Sequence, residues 1–148
     1  MANLDAARFR QVAMTREQAR RFSARWLPAW TGNNPHKLAA FYTDDLFYSD
    51  PTVPDGIEGK PAFVAYLSKL LANNPEWVWT QRDAVPMAGG FLNKWTVDVP
   101  VADRIVTCHG VCTVEFKKAL IWRNEVYFDP RPLMSAIASW NERKRKNV

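Results

Sequence analysis

The chain between residues 105 and 116 reads IVTCHGVCTVEF, and this run of β-branched and apolar side chains predicts a long β-strand. Because strand side chains alternate between two faces, Cys108 and Cys112 share one face and His109 lies on the other. Four residues of strand span about 13 Å, which is too far for a disulfide between the two cysteines. We therefore expect two reduced thiols and no metal site that combines them with His109.

Three further stretches of the same character flank this strand. One begins at about residue 77, one runs from 91 to 101, and one runs from 120 to 128. Ala88-Gly89-Gly90 and Lys117-Lys118-Ala119 separate neighbouring stretches and are typical of tight turns. Since strands joined by tight turns pair antiparallel, the second half of the chain is predicted to be an antiparallel sheet.

The first half is predicted to be mainly helical. Thr15 and Gln18 have the spacing of a capping box, so a helix should begin there and run to about Trp30. The elements expected next are a short helix from Asn34 to about residue 42, a strand at about 46–50, a loop over 51–59 and a third helix over about 60–72. A last helix should follow Asp129, with Leu133, Met134, Ile137 and Trp140 on one side.

This order of elements indicates the fold class. Helices followed by long antiparallel strands are typical of an α+β domain. We expect a cone-shaped, strongly bent antiparallel sheet that is covered by three N-terminal helices and is followed by a C-terminal helix. The open end of such a cone is a natural ligand pocket.

Length and composition agree with one globular domain. We expect it to span residues 1–148, with an ordered core at about 15–140. A hydrophobic fraction of 47% with a charged fraction of 24% excludes intrinsic disorder. No apolar run approaches the roughly 20 residues that span a bilayer, and the N-terminus lacks the pattern of a signal peptide. The sequence therefore predicts a cytoplasmic protein without a membrane partner.

The net charge of +5 comes mostly from the two ends of the chain. Six arginines lie between Arg8 and Arg25, and four basic residues occupy 143–146. Such clusters can hold nucleic acid or acidic lipid, but they are also typical of a solvated helix face. Neither cluster is interleaved with aromatic residues that could stack on bases, so we expect no nucleic-acid partner.

Two stretches resemble a known family. The first contains FYTDD at 41–45, YSDP at 48–51 and GKPAF at 59–63, and the second reads IWRNEVYFD at 121–129. Over about residues 15–140 they resemble the ketosteroid isomerase and SnoaL-like polyketide cyclase domains of the nuclear transport factor 2-like superfamily. The resemblance implies the cone fold. It leaves the activity open, because this fold hosts isomerases, cyclases, epoxide hydrolases, dehydratases and binding modules.

The resemblance implies one candidate base. Asp50, at the end of the first strand, matches the Asp that moves the proton in ketosteroid isomerases. Neutral side chains occupy the other family positions: Trp26 and Cys112 in place of an oxyanion-binding Tyr and Asp, Val126 in place of the last-strand acid of the cyclases, and Asn93 and Trp95 in place of an Arg and an Asp of the limonene epoxide hydrolases.

In the register of the family, the inward-facing side chains form a largely apolar cavity. The set is Trp26, Tyr48, Asp50, Asn93, Trp95, Cys108, Gly110, Cys112, Asn124, Val126 and Phe128. We predict an enzyme in which Asp50 is the base, and in which Asn93 or Asn124, together with the Tyr48 hydroxyl, polarises the substrate oxygen. The substrate would be a small apolar ring compound with a carbonyl or hydroxyl group. The residues expected to contact it are Tyr48, Trp26, Trp95, Cys112, Val126 and Phe128.

Two alternatives remain open at this point. The domain could be a non-catalytic ligand-binding or assembly module, and Asp50 could only close the turn before Pro51. No cofactor is expected, because the sequence has no phosphate-binding glycine loop and no metal-ligand cluster. The outward face of the long strands carries residues such as Val111 and Thr113, and we expect it to pair with a second copy in a homodimer.

Overall fold

The computed structural model describes residues 14–148 and confirms the α+β prediction within them. Its strands are β1 (Tyr42–Asp50), β2 (Val53–Glu58), β3 (Val78–Met87), β4 (Gly90–Val101), β5 (Arg104–Lys117) and β6 (Leu120–Phe128). They form one curved sheet in the order β2-β1-β6-β5-β4-β3, which does not close into a barrel. Residues 1–13, which include Arg8 of the basic cluster and the start of the predicted domain, lie outside the described residues.

Helices cover the concave face of this sheet. They are α1 (Arg16–Trp26), α2 (Pro35–Ala39), α3 (Lys60–Asn73) and α4 (Arg131–Lys146). The capping box predicted for α1 is confirmed: Thr15 Oγ1 accepts from Gln18 N at 3.1 Å, and Gln18 Oε1 accepts from Thr15 N at 2.9 Å. None of the helices in the described part of the chain is long and apolar enough to cross a membrane.

Strand pairing follows the predicted antiparallel order in the last four strands. The β4–β5 ladder runs from Gly90 opposite Glu115 to Val101 opposite Arg104. The first strand joins the sheet differently, because β1 lies parallel to β6 and antiparallel to β2. Irregularities in the β1–β2, β1–β6, β3–β4 and β5–β6 ladders bend the strands and give the sheet its curvature.

Three local predictions in the first half were wrong. The predicted loop over 51–59 contains β2, whose Pro54 is tolerated because it lies in an edge strand. The second helix ends at Ala39, so Tyr42 begins a longer β1 than expected. The α-helical part of α1 ends at Trp26, and Leu27–Trp30 form a 3-10 turn, because Pro28 has no N–H for an α-helical bond.

The two faces of the sheet differ in how deeply their side chains are buried. Val97, Val114 and Ile121 on the concave face are almost completely buried against the helices. On the convex face, Ile105 is 60% exposed and Tyr127 is 56% exposed. The alternation predicted from the strand sequences therefore places the candidate site residues on the covered, concave face.

Candidate functional site

A cavity of about 270 Å³ lies between the concave face of the sheet and the helices. Nine of the eleven residues predicted to face the cavity line it: Trp26, Tyr48, Asp50, Asn93, Trp95, Cys112, Asn124, Val126 and Phe128. The prediction was wrong for Cys108 and Gly110, which do not line this cavity. Asp50 is the only charged side chain in the lining, as far as the described residues go. The wall is thus apolar and aromatic apart from one carboxylate and a few uncharged polar groups.

Strand register explains how these residues meet. Asn93 on β4 pairs with Cys112 on β5, and Cys112 pairs with Val126 on β6. The parallel register of β1 and β6 places Asp50 beside Val126. These four residues form one row across the concave face, with Asp50 and Asn93 three strands apart, or about 14 Å along the sheet. The curvature of the sheet turns the two ends of the row towards the same cavity.

Asp50 closes a turn, and its residue also lies in the wall of the cavity. Its Oδ1 accepts from Thr52 N at 2.8 Å, from Thr52 Oγ1 at 2.7 Å and from Val53 N at 3.1 Å. Its Oδ2 accepts from Tyr48 Oη at 2.9 Å and from Tyr66 Oη at 2.5 Å. The residue is 8% exposed. Five donors therefore fix the orientation of a nearly buried carboxylate.

Both phenols that bind Asp50 remain protonated. Burial, together with the nearby charge of Asp50, raises the pKa of Tyr48 well above its ordinary value. Burial and the hydrogen bond to Asp50 likewise raise the pKa of Tyr66 far above that of a free phenol. Each phenol can therefore act as a hydrogen-bond donor throughout the physiological pH range.

The two carboxamides differ in how fully they are used. Asn124 Oδ1 accepts from Tyr42 Oη at 3.0 Å, and its Nδ2 donates to Thr113 O at 2.9 Å. Asn93 Oδ1 accepts from Gln81 Nε2 at 2.8 Å, whereas its Nδ2 is buried and has no hydrogen-bond partner within the part of the chain that the structure describes. Asn93 is thus the carboxamide that has a donor left for a ligand, while Asn124 ties strands together.

A cluster of aromatic rings forms the largest part of the wall. Trp79 lies 5.8 Å from Trp30 and 4.7 Å from Trp95, and Trp95 lies 5.6 Å from Phe128, all between ring centroids. Gly110 makes this possible, because a Cβ at that position would lie 2.4 Å from Trp95 Cζ2. The Trp95 indole therefore packs directly against the backbone of β5 at Gly110.

Cys112 is a neutral thiol at the base of the cavity. Burial raises the pKa of Cys112 to about 12, although nearby groups of Asn124, Asn93 and Trp95 oppose this effect. A thiol with so high a pKa is a poor nucleophile. The structure describes no group of three or more His, Cys, Asp or Glu side chains that could hold a metal ion, in residues 14–148.

Several lining residues were missed by the sequence analysis. Tyr66 lies on α3 between the buried Phe63 and the half-buried Leu70, at helical spacing, so it is the polar member of an apolar stripe. Trp77 and Trp79 were predicted only as part of a strand and not as residues that line the cavity. The apolar side of α4 was predicted, but not that Leu133, Met134 and Ile137 would line the cavity.

Comparison with known proteins places the chain in a family. The family model described as SnoaL-like domain matches residues 23–124. No curated protein matches the chain in sequence. The match covers more than half of the chain, so it shows the family to which the chain belongs.

Three solved structures illustrate the similarity. A hypothetical protein of Catenulispora acidiphila with a ketosteroid isomerase-like fold, in complex with trimethylamine, has 15% identity and a TM-score of 0.68, over 78% of this chain and 90% of that one. A SnoaL-like protein of unknown function from Burkholderia thailandensis has 15% identity and a TM-score of 0.67, over 80% and 99%. A protein of Jannaschia sp., provisionally described as a SnoaL-like polyketide cyclase, has 12% identity and a TM-score of 0.66, over 82% and 92%. At these identities the similarity shows the fold alone, and with the family match it shows that the chain belongs to the SnoaL-like domain family of the nuclear transport factor 2-like superfamily.

Proposed function

We propose that the protein is a cofactor-independent enzyme that transfers a proton on a small, largely apolar ring compound with a carbonyl or hydroxyl group. The observation that carries the proposal is the single carboxylate of Asp50, nearly buried in the wall of an aromatic cavity. No Lys, Arg or His from the described residues lines this cavity, so nothing there forms an ion pair with the carboxylate. A carboxylate in such a site can act as a general base.

The dimensions and polarity of the cavity support this class of ligand. Its volume of about 270 Å³ is near the lower end of the usual range of roughly 300–1,000 Å³ for ligand sites, which suits a compact ring compound. The charge of Asp50 disfavours anionic ligands. Trp, Tyr and Phe side chains provide apolar contact surface, and a ligand oxygen beside Asn93 would give Nδ2 the acceptor that it lacks.

In the proposed reaction, the residues at the two ends of the row, Asp50 and Asn93, have different roles. Asp50 Oδ2 takes a proton from a carbon next to the ligand carbonyl, and the electron pair of the broken C–H bond moves onto the carbonyl oxygen. Asn93 Nδ2 donates a hydrogen bond to that oxygen and stabilises the enolate. If a C=C bond is conjugated with the enolate, return of the proton to the far carbon of that bond completes an isomerisation. If the enolate instead expels a β-hydroxyl group, the proton goes to the leaving oxygen and the product is a dehydrated ring compound with water. If the enolate carbon attacks a second carbonyl of the ligand, the proton goes to the new alkoxide and the result is a cyclisation.

A second candidate function is ligand binding without turnover. It is supported by the five donors that already bind Asp50, and by the uncharged Cys112 and Val126 at positions where related enzymes have acids. In this case the cavity would recognise the same neutral molecules, but Asp50 would serve only to shape the wall.

Paired variants separate the two candidates. Ring ketones and hydroxyl-bearing ring compounds are first screened by quenching of tryptophan fluorescence, and ligands that bind are then tested for turnover. If Asp50 is the base, Asp50→Asn keeps binding within a few-fold and lowers turnover by about 100-fold or more. Asp44→Asn, at a carboxylate whose side chain is 98% exposed, is the matched control and keeps both. Equal turnover in the two variants would refute the catalytic role, and binding without turnover by the unmodified protein would favour the second function.

We also propose that the protein is a cytoplasmic homodimer. Two unpaired cysteines fit a reducing compartment. The exposed Ile105 and Tyr127 on the convex face of the sheet would be covered by a second copy. Sedimentation at micromolar concentration should therefore give twice the chain mass of 17.0 kDa, and a purely monomeric species would exclude the dimer.

A further inference from the structure

Three side chains around Asp50 form a closed ring of oxygen contacts. Tyr66 Oη lies 2.5 Å from Asp50 Oδ2, and Thr52 Oγ1 lies 2.7 Å from Asp50 Oδ1. Thr52 Oγ1 and Tyr66 Oη are themselves 2.8 Å apart, and either of them could be the donor. Tyr48 Oη adds a fourth contact from outside the ring, at 2.9 Å from Asp50 Oδ2.

The hydrogen atoms available for these contacts depend on the state of Asp50. Tyr48, Tyr66 and Thr52 bring one hydroxyl hydrogen each, while there are four contacts between hydroxyl and carboxyl oxygens. With an ionised Asp50, one contact has no hydrogen, and two oxygens face each other at hydrogen-bond distance. One extra proton on Oδ2 fills every contact: Asp50 donates to Tyr66, Tyr66 to Thr52, Thr52 back to Oδ1, and Tyr48 to Oδ2.

We propose that Tyr66 and Thr52 are positioning residues that let Asp50 hold the transferred proton, by turning their hydroxyl groups into a closed chain of hydrogen bonds around it. In the ionised state Tyr66 donates to Asp50. After the proton transfer it accepts from Asp50 and donates to Thr52 instead. No atom other than the transferred proton and the hydroxyl hydrogens has to move, so the ring can open and close within a single turnover. This proposal rests on the proposed proton transfer for its biological role, whereas its chemistry can be tested without a substrate.

The surroundings of Asp50 support this reading. Within the described residues, the titratable side chains that share its cavity are Tyr48 from its own strand, Tyr66 from α3 and Cys112 from β5. Glu125 and Tyr127 of β6 line a second cavity that Asp50 also borders. Both phenols have a raised pKa and stay protonated, so each keeps a hydrogen to donate. Hydrogen bonds that form a continuous chain strengthen one another in a site of low dielectric constant.

Two matched variants give opposite predictions. Tyr48 and Tyr66 both donate to Oδ2, but only Tyr66 belongs to the ring. Tyr48→Phe removes a simple donor to the carboxylate, so protonated Asp50 becomes about tenfold more favoured over the ionised form. Tyr66→Phe removes one donor from the ionised form but also relieves the contact that lacked a hydrogen. From the protonated form it removes two hydrogen bonds, because the Asp50 proton loses its acceptor and Thr52 loses the Tyr66 donor. The larger loss falls on the protonated form, so protonated Asp50 becomes about tenfold less favoured. Thr52→Ser keeps the hydroxyl and should match the unmodified protein.

The measurement is the ratio of protonated to ionised Asp50 at one mildly acidic pH. It is read from the carboxyl carbon resonance of protein with labelled aspartate, which is assigned by its loss in Asp50→Asn. Opposite shifts in Tyr48→Phe and Tyr66→Phe, with circular dichroism showing that both are folded, support the ring. Shifts in the same direction overturn it, because Tyr66 would then be a plain donor. Loss of turnover is not used here, so a failure of the enzyme proposal, seen as full turnover in Asp50→Asn, is distinguishable from a failure of the ring.

Discussion

Replacing Asp50 by Asn should destabilise the fold as well as stop the proposed reaction. The carboxylate accepts five hydrogen bonds, three of which hold the turn between β1 and β2. In Asp50→Asn, Oδ1 can keep its three donors, but these bonds lose the help of the charge, at about 0.5 kcal/mol each. The NH₂ group that replaces Oδ2 faces two phenol donors, and the loss is about 1 kcal/mol for each of them. The expected decrease in the free energy of unfolding is about 3.5 kcal/mol.

Urea unfolding followed by tryptophan fluorescence measures this change. For a chain of this length the same loss should lower Tm by about 7–14 °C. Asp44→Asn is the control and should stay within about 0.5 kcal/mol of the unmodified protein. Equal midpoints for Asp50→Asn and Asp44→Asn would show that the five hydrogen bonds do not hold Asp50 in solution. In that case Tyr48 and Tyr66 would not fix the orientation of the Asp50 carboxylate.

Three further predictions concern other parts of the molecule. Gly110→Ala should lower the free energy of unfolding by about 1–3 kcal/mol, because the new Cβ pushes the Trp95 indole into the cavity. The same displacement should weaken ligand binding. Urea unfolding measures the first effect and fluorescence titration the second. Cys112 should react with a thiol reagent far more slowly in the native protein than in urea, because burial raises its pKa to about 12, and equal rates would contradict its burial. Hydrogen bonds and charge from Arg131 lower the pKa of Asp129 to about 2. This ion pair therefore contributes stability at pH values above the ordinary pKa of Asp, and the contribution is lost as the pH falls towards 2. The difference in unfolding free energy between the unmodified protein and Asp129→Asn should shrink on acidification, which urea unfolding at several pH values measures.

The sequence alone determined the features that depend on near neighbours in the chain. The capping box of Thr15 and Gln18 starts α1 because its two hydrogen bonds join residues three positions apart. The alternation in β4, β5 and β6 determined which side chains face the helices, because the period of a strand is a local property. The family resemblance supplied the register, and with these two results Asn93, Cys112 and Val126 could be assigned to one face.

Signals that depend on context were misread for equally physical reasons. Pro54 and Gly56 suggest a loop, and only the position of β2 at the sheet edge makes them compatible with a strand. The backbone at Gly56 is left-handed, and the Phe47 ring lies where a Cβ would be, at 2.2 Å. The residues next to Gly56 in the sequence do not show that β2 lies at the edge of the sheet, or that the Phe47 ring packs against Gly56.

Only the tertiary structure decided how Asp50 is held. The hydrogen bonds to its own turn come from Thr52 and Val53, close in sequence, and the turn alternative was visible from the chain. The bond from Tyr66 joins positions 16 residues apart, and Trp77 Nε1 donates to Trp30 O across 47 residues. Such contacts form where α3 and the 3-10 turn pack on a curved sheet, and that packing depends on the volumes of all the side chains between them. The family resemblance therefore pointed to the Asp50 carboxylate from the sequence. Which phenol from the helices binds that carboxylate depends on how α3 packs against the curved sheet.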